Sequence, residues 1–421
     1  MARDPGWAPK RNGKTSVAIW YDIFELTGGM IMRKLTLASL VFSLLVLSSA
    51  GVVLAADEWG EIVIPKDSPM KVALGAMLSG GYANFGIDVK NGAEMALMEK
   101  GEILGHKLVL EPGDDQCEGA PSVALAEKWS NDPIMVGVIA YMCSSGTIAA
   151  SDVHNKYKQT MISPSATSAD VTNRGIPIVF RLCWNDNVQG KALADFVLKN
   201  KWMKAALIHD KSTYGQGLVD VFKETFTKAG GQVLAYEALT RGDKDFSPVL
   251  TKIKPLNPEV VNFGGMVAEG TLLIRQMRRM GIKSKFVAYE GVYSEKDFIQ
   301  ASGGAAVGAY VTYSKTPSSK IYMDWLNKFK AKYGPPVTYA PHAYDATNVL
   351  LKAVDKVAQK QPDGSLIIGK KALRDAVAAT KFDGITGPVS FNQVGDRIGI
   401  AVTVNEVVCE GKKCFFKELN E

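Results

Sequence analysis

Two stretches rich in small hydroxyl side chains are the parts of this 421-residue chain best suited to chemistry: IAYMCSSGTIAASD at residues 139–152 and ISPSATSAD at residues 162–170. In each, a short apolar run gives way to Ser and Thr and then to a stretch compatible with a helix. A strand that delivers hydroxyls to a helix N-terminus also delivers free backbone N–H groups and the positive end of the helix dipole. That combination suits a carboxylate or another small anion. Two such turns within one βαβα run could grip a single ligand together.

Covalent or acid–base catalysis finds no comparable support. The chain has no GxSxG elbow, no Walker loop and no HExxH, and the glycines of residues 75–81 do not make a dinucleotide pattern. Its four histidines, His106, His154, His209 and His342, fall in unrelated segments. His209 ends a predicted strand and reads more simply as a packed side chain. Asp114-Asp115 reads as acids at a strand end rather than as a catalytic pair. A non-enzyme is expected, with no cofactor and no metal.

The elements that must position the two turns follow from periodicity. Strands are predicted over residues 71–76, 107–111, 135–139 and 160–163, with helices over 85–100, 121–129 and 149–158. The pattern then restarts with an extended segment at 178–182. Strands follow over 205–209, 232–236, 260–263 and 285–288, and helices over 187–200, 217–229, 248–253 and 268–280. Helices over 320–333, 343–357 and 370–379 precede strands near 387–391, 398–404 and 414–416. Short apolar strands alternating with helices mean parallel βαβ units, covered by helices on both faces. The fold class is α/β, in two lobes joined without a disordered linker and separated by a cleft. Open α/β sheets bind ligands at the carboxyl ends of their strands, where both hydroxyl turns sit.

The gross numbers agree with two lobes, since the chain is too long for one ordinary core. Residues 1–55 carry six of the 49 Lys/Arg and three of the 43 Asp/Glu, so the net charge of +6 falls to +3 without them. No dense Lys/Arg run stands behind that excess, and nucleic acid is not an expected partner. Met32-Arg33-Lys34 is followed by 22 uncharged residues that pass through Val53-Leu54-Ala55. A basic, then apolar, then small-residue order is that of a secretory signal cleaved after Ala55. A retained membrane anchor is the other reading of so long an uncharged run, although Ser39, Ser43, Ser48, Ser49 and Gly51 dilute it. Translation is expected to start at Met30 or Met32. Export permits disulfides among the five cysteines. Cys409 and Cys414 flank a turn-forming tetrapeptide and could staple a terminal hairpin. Zinc is the rival use, but no CxxC pair or His cluster accompanies them. Cys117 and Cys143 each follow a predicted strand and could meet at one sheet edge, which leaves Cys183 over.

A series of short motifs occurs in a fixed order: Gly75-Ala76-Met77, Asp114-Asp115-Gln116-Cys117, Cys143-Ser144-Ser145-Gly146-Thr147, Ser163-Pro164-Ser165-Ala166-Thr167, His209-Asp210-Lys211, Tyr214-Gly215, Gly242-Asp243-Lys244-Asp245-Phe246 and Glu290-Gly291. With them the chain, from about residue 70 to 405, closely resembles the periplasmic leucine/isoleucine/valine-binding proteins of branched-chain amino-acid ABC transporters. The resemblance implies two Rossmann-like lobes joined by three crossovers, near residues 184, 311 and 391, that close on ligand like a hinged trap. The division becomes a leader over 1–55, one lobe from 56–184 with 312–391, and a second from 185–311 with 392–421. The resemblance also implies a Cys117–Cys143 disulfide.

Carried over position by position, the family's pocket assigns roles. Ser144 gives hydroxyl and N–H to the ligand carboxylate. Thr167 gives its N–H to the carboxylate and its hydroxyl to the ammonium. Ser165 stands where the family uses a backbone carbonyl, and Ala166 beside it is counted among the ligand-binding residues. Glu290, from the second lobe, pairs with the α-ammonium. Tyr214 faces the ligand from that lobe, while Phe85 and Tyr339 wall the side-chain pocket. One position departs from the pattern: the family's leucine binders carry Tyr after the Gly-Gly at Gly264-Gly265, and here Met266 stands instead. A thioether loses a hydrogen-bonding group and gains an adaptable wall. The expected function is a periplasmic, monomeric solute-binding protein for a branched-chain, aliphatic or other hydrophobic amino acid, handed to an ABC permease. A binding protein or sensor of the same fold for an amide, urea or aromatic acid is the alternative. Glu290 argues against the latter, because closing over an unpaired carboxylate costs several kcal/mol.

Overall fold

Runs such as MKVALGA and MVGVI bury nearly every residue, so they have no solvent face and belong in sheets covered on both sides. The computed structural model describes residues 56–419, and the expected leader and its cleavage after Ala55 lie outside them. After β1 (Glu61–Ile64) come β2 (Met70–Ala76), β3 (Glu102–Ile103), β4 (His106–Asp114), β5 (Met135–Ile139), β6 (Met161–Ser163) and β7 (Val179–Arg181). β2 to β7 form a six-stranded sheet in the order β3-β4-β2-β5-β6-β7, parallel apart from the β3–β4 pair.

The second sheet begins with β8 (Lys204–His209), β9 (Gln232–Ala238), β10 (Val260–Gly264), β11 (Lys285–Ala288) and β12 (Tyr310–Ser314), all parallel. The chain then leaves it. β13 (Gln359–Lys360) and β14 (Leu366–Gly369) join β1, and β15 (Phe382–Gly384) pairs with β16 (Gly387–Val389). β17 (Val402–Glu410) and β18 (Lys413–Glu418) return to complete the order β18-β17-β12-β11-β10-β8-β9, antiparallel at that edge. Cys409 and Cys414 face each other across the β17–β18 hairpin and are bonded. The other disulfide is Cys117–Cys143, and Cys183 is free and buried.

The helices that matter for the site are α1 (Ala83–Lys100), α2 (Gly119–Ser130), α3 (Ser144–Lys156), α4 (Asp170–Asn173), α5 (Asp186–Lys199), α6 (Thr213–Lys228), α7 (Ser247–Ile253), α8 (Val267–Arg279), α9 (Lys320–Tyr333) and α10 (Ala340–Val357). α1 comes so close to the end of β2 that a Cβ on Gly86 would lie 1.9 Å from the Met77 carbonyl oxygen. Only glycine fits there.

Several element boundaries depart from the sequence reading. α3 starts at Ser144 rather than 149, because Cys143 is extended (φ −90°, ψ 140°) and the Ser-Ser-Gly-Thr run itself makes the first turn. α6 starts at Thr213 rather than 217, capped by the Ser212 side chain, which accepts the Gly215 N–H. The second hydroxyl turn leads only to the four-residue α4, and Thr167 lies in the loop before it. That turn therefore leads into a single short helical turn rather than a helix N-terminus like that of α3. β1 and β12 are additional strands: YVTYS follows a Gly-rich stretch that hides its pattern, and its place is set by pairing with β11 and β17.

Candidate ligand-binding cleft

The cleft is built on the ends of β2 and β5 in one sheet and on the ends of β8, β10 and β11 in the other. From β5 the chain runs through Met142 and Cys143 into α3, so Ser144 and Ser145 open that helix. The first N–H groups of a helix have no partner within it. Here they face the cleft, with the Cys117–Cys143 disulfide tying the adjacent loop at a Cα–Cα distance of 5.2 Å. The Ser144 hydroxyl accepts the Ser168 N–H at 3.1 Å, which links the two hydroxyl turns.

The second turn is held from behind rather than by a helix. The fully buried Arg181 donates to the carbonyls of Ala166, Thr167 and Ser168 at 3.3, 2.8 and 2.6 Å, and its Nε donates to Asp396 at 2.9 Å. The Asp186 N–H also donates to the Thr167 carbonyl, at 2.8 Å. Tyr339 is placed by another buried acid. Asp88 on α1 accepts the N–H groups of Val337, Thr338, Tyr339 and Ala340 at 2.8–2.9 Å, which caps α10 and points the preceding Tyr339 into the cleft.

Glu290 follows β11 and is 2% exposed. It receives the Tyr339 hydroxyl on Oε1 at 3.1 Å and the Gln189 amide on Oε2 at 2.5 Å. Gln189 on α5 is itself fixed, accepting Trp184 Nε1–H at 2.7 Å and donating to Thr312 Oγ1 at 2.8 Å. Gly291 must be glycine, because a Cβ would come within 2.5 Å of the Gly265 carbonyl and 2.8 Å of the Tyr214 hydroxyl oxygen. That hydroxyl accepts the Gly291 N–H at 3.0 Å. Met266 caps α8 immediately after Gly264-Gly265.

Phe85, Ser144, Ser165, Tyr214, Met266, Glu290 and Tyr339 surround one space between the two sheets. Met77, Met142, Cys143, Ser145, Ser212, Arg241 and Gly291 complete its wall. Two of the residues singled out from the sequence, Ala166 and Thr167, do not line that space; both are buried behind it. The cleft is closed. Across its mouth the Tyr82 hydroxyl donates to Glu269 at 2.9 Å and the Asn84 amide to Asp297 at 3.1 Å.

The electrostatics are unbalanced in a way the sequence did not reveal. Burial pushes the Glu290 carboxyl up to about 7, against the hydrogen bonds from Gln189, Tyr214 and Tyr339 that favour its charged form. Asp186, at the start of α5, is raised well above the carboxylate range, first by burial and then by the neighbouring Glu290 charge. Both Asp186 oxygens and the Thr167 hydroxyl are buried without a hydrogen-bond partner. Thr167 is near enough to favour the charged Asp186 slightly, although the pair lacks hydrogen-bonding geometry. Asp186 and the Thr167 hydroxyl are thus left without a protein donor, whereas Glu290 is answered by Tyr339 and Gln189. Buried polar groups are rarely left so. Asn185-Asp186 reads in the sequence as an ordinary helix start, and nothing local marks it as special. Among the described residues no cluster of His, Cys, Asp and Glu could hold a metal ion.

A family model for periplasmic binding proteins matches residues 69–410. The chain belongs to that family. Its members are solute-binding proteins, not enzymes. The chain is 35% identical to a Leu/Ile/Val-binding protein homologue of Brucella melitensis over 329 residues, which is 76% of this chain and 86% of the relative. It is 32% identical over 346 residues to a leucine-, isoleucine-, valine-, threonine- and alanine-binding protein of Pseudomonas aeruginosa, covering 80% of this chain and 89% of that one. Among solved structures, a leucine-binding protein of Thermotoga maritima superposes with a TM-score of 0.75 at 27% identity, over 83% of this chain and 97% of the other. The family members that resemble this chain are thus branched-chain amino-acid binders. Structures at 22% identity, such as a benzoate complex from Rhodopseudomonas palustris with a TM-score of 0.71, share the fold. No helix among the described residues is long and apolar enough to cross a membrane.

Proposed function

We propose that this chain is the periplasmic solute-binding component of an ABC transporter, which captures a branched-chain, aliphatic or other hydrophobic α-amino acid and delivers it to a membrane permease. One observation carries the reading. The cleft sets the open N-terminus of the 13-residue α3 against the buried carboxyl of Glu290, the charge pattern of a zwitterion turned inside out. The carboxylate sits on Ser144, Ser145 and the adjoining N–H groups. The ammonium answers Glu290, a buried acid whose charge is costly to leave without a cation. Ser165 supports the head group through the backbone. Phe85, Met266, Tyr214 and Tyr339 surround the side chain.

The lobes follow the two sheets. Only the closed state brings Ser144 and Glu290 onto one ligand, so ligand favours closure by differential affinity. The mature chain is a monomer that starts after Ala55. A thermal-shift screen of this mature form against the twenty amino acids, benzoate, urea and short amides tests the reading. Binding to the native state raises the melting temperature by mass action. A rise with Leu, Ile, Val or Phe and none with the others supports it. A rise only with benzoate, urea or an amide overturns it.

A further inference from the structure

We propose that Arg241 is the second lobe's partner for the ligand carboxylate, so that closure depends on that group as well as on the ammonium. This rests on the amino-acid reading above. Arg241 follows β9 and lines the cleft. Its Nε donates to Asp210 Oδ2 at 2.8 Å, and the Asp210 side chain is completely buried. Asp210 is fixed in turn by the Ser212 N–H, which donates to its other oxygen at 3.0 Å.

A guanidinium has five N–H donors. Only Nε reaches an oxygen at hydrogen-bonding distance. The neighbours of Nη1 are Cys117 Sγ at 3.7 Å and a Glu118 oxygen at 4.0 Å, and the Glu118 side chain is 63% exposed. Sulfur is a weak acceptor. The outer edge of the fork is therefore held in place with little to bind, although it is only 19% exposed.

Its position identifies what it would bind. Cys117 is bonded to Cys143, the residue immediately before Ser144, so the free edge of Arg241 stands beside the N-terminus of α3. Arg241 also meets the Tyr82 ring, and it shares no contact with the Gln189, Thr312 and Tyr339 groups around Glu290. A planar fork with one edge anchored and the other free matches a carboxylate. A carboxylate seated on the α3 N–H groups would then be gripped from both lobes. The competing role is a plain tie between lobes through Glu118. Such a tie would aid closure equally for every ligand, charged or not.

The test measures affinities of Leu, Ile, Val and Phe and of their C-terminal amides by calorimetry, on the parent protein and on Arg241→Met and Arg241→Lys. In the parent each acid should bind far more tightly than its amide. In Arg241→Met the acids should weaken by ~10–100-fold, the amides by much less, and the acid-to-amide ratio should shrink by ~10-fold or more. Arg241→Lys should fall between, because a point charge cannot hold Asp210 and ligand in one plane. Should the bare Asp210 unfold the variant, Asp210→Asn with Arg241→Met removes that acid and permits the same ratio to be read. An unchanged ratio, with acids and amides losing equally, overturns the proposal in favour of the Glu118 tie. If none of the four acids binds the parent, the amino-acid reading itself falls, and this proposal with it.

Discussion

Replacing Glu290 with Gln keeps the shape of the side chain and removes its charge, and the structure requires effects of opposite sign with and without ligand. In the cleft, burial raises the carboxyl from an ordinary 4.5 to about 7. An acid whose pKa is raised by folding binds its proton more tightly in the native state. It costs nothing below the unfolded value, and its cost grows as pH rises through the native value. At 1.36 kcal/mol per pH unit, the penalty reaches about 3 kcal/mol above pH 7. Water that enters when the cleft opens reduces it. The ligand-free Glu290→Gln protein should therefore match the parent near pH 4.5 and exceed it in stability by up to about 3 kcal/mol at pH 8. With amino acid bound the sign reverses. Loss of a buried charge partner costs about 3–4 kcal/mol, which weakens binding by roughly 100- to 1,000-fold. Urea unfolding of the ligand-free proteins at pH 4.5, 7 and 8, with calorimetric titration at pH 7, reads both effects. Amino-acid affinity equal to the parent's would refute the pairing. A stability difference that does not grow between pH 4.5 and 8 would refute the account of Glu290 burial.

Asp186→Asn removes the buried acid beside Glu290 and offers amide donors in its place. Amino-acid binding should weaken by about tenfold, and the pH dependence of ligand-free stability should become shallower. Calorimetry and the same urea series measure these. Removing the Cys117–Cys143 disulfide by a double Ser substitution, across a separation of 26 residues, should cost about 3.5 kcal/mol in urea unfolding. It should also weaken ligand binding, because Cys143 leads directly into Ser144. The matching change at Cys409 and Cys414, 5 residues apart, should cost about 2 kcal/mol or less and leave affinity unchanged.

What the sequence determined was local or ordered. Alternation of apolar strands with helical stretches is enough to give parallel α/β architecture, because buried strands must be apolar throughout. The Cys-Ser-Ser-Gly-Thr turn announces a strand feeding a helix N-terminus, and α3 begins at Ser144. The ordered motifs named a family, and seven of the nine residues they singled out surround one space. Tertiary structure alone decided the rest. Thr167 sits behind the cavity rather than on it, because Arg181 and Asp186, both later in the chain, pin its carbonyl. Asp88 is an ordinary acid of a surface helix until α10 arrives to bury it under four N–H groups. Asp186 reads as a helix start and Arg241 as a loop cation. The meaning of each depends on which groups the fold removes from water beside it. Charge is written in the sequence, but its environment is set by contacts between distant segments. No local pattern of residues encodes that burial.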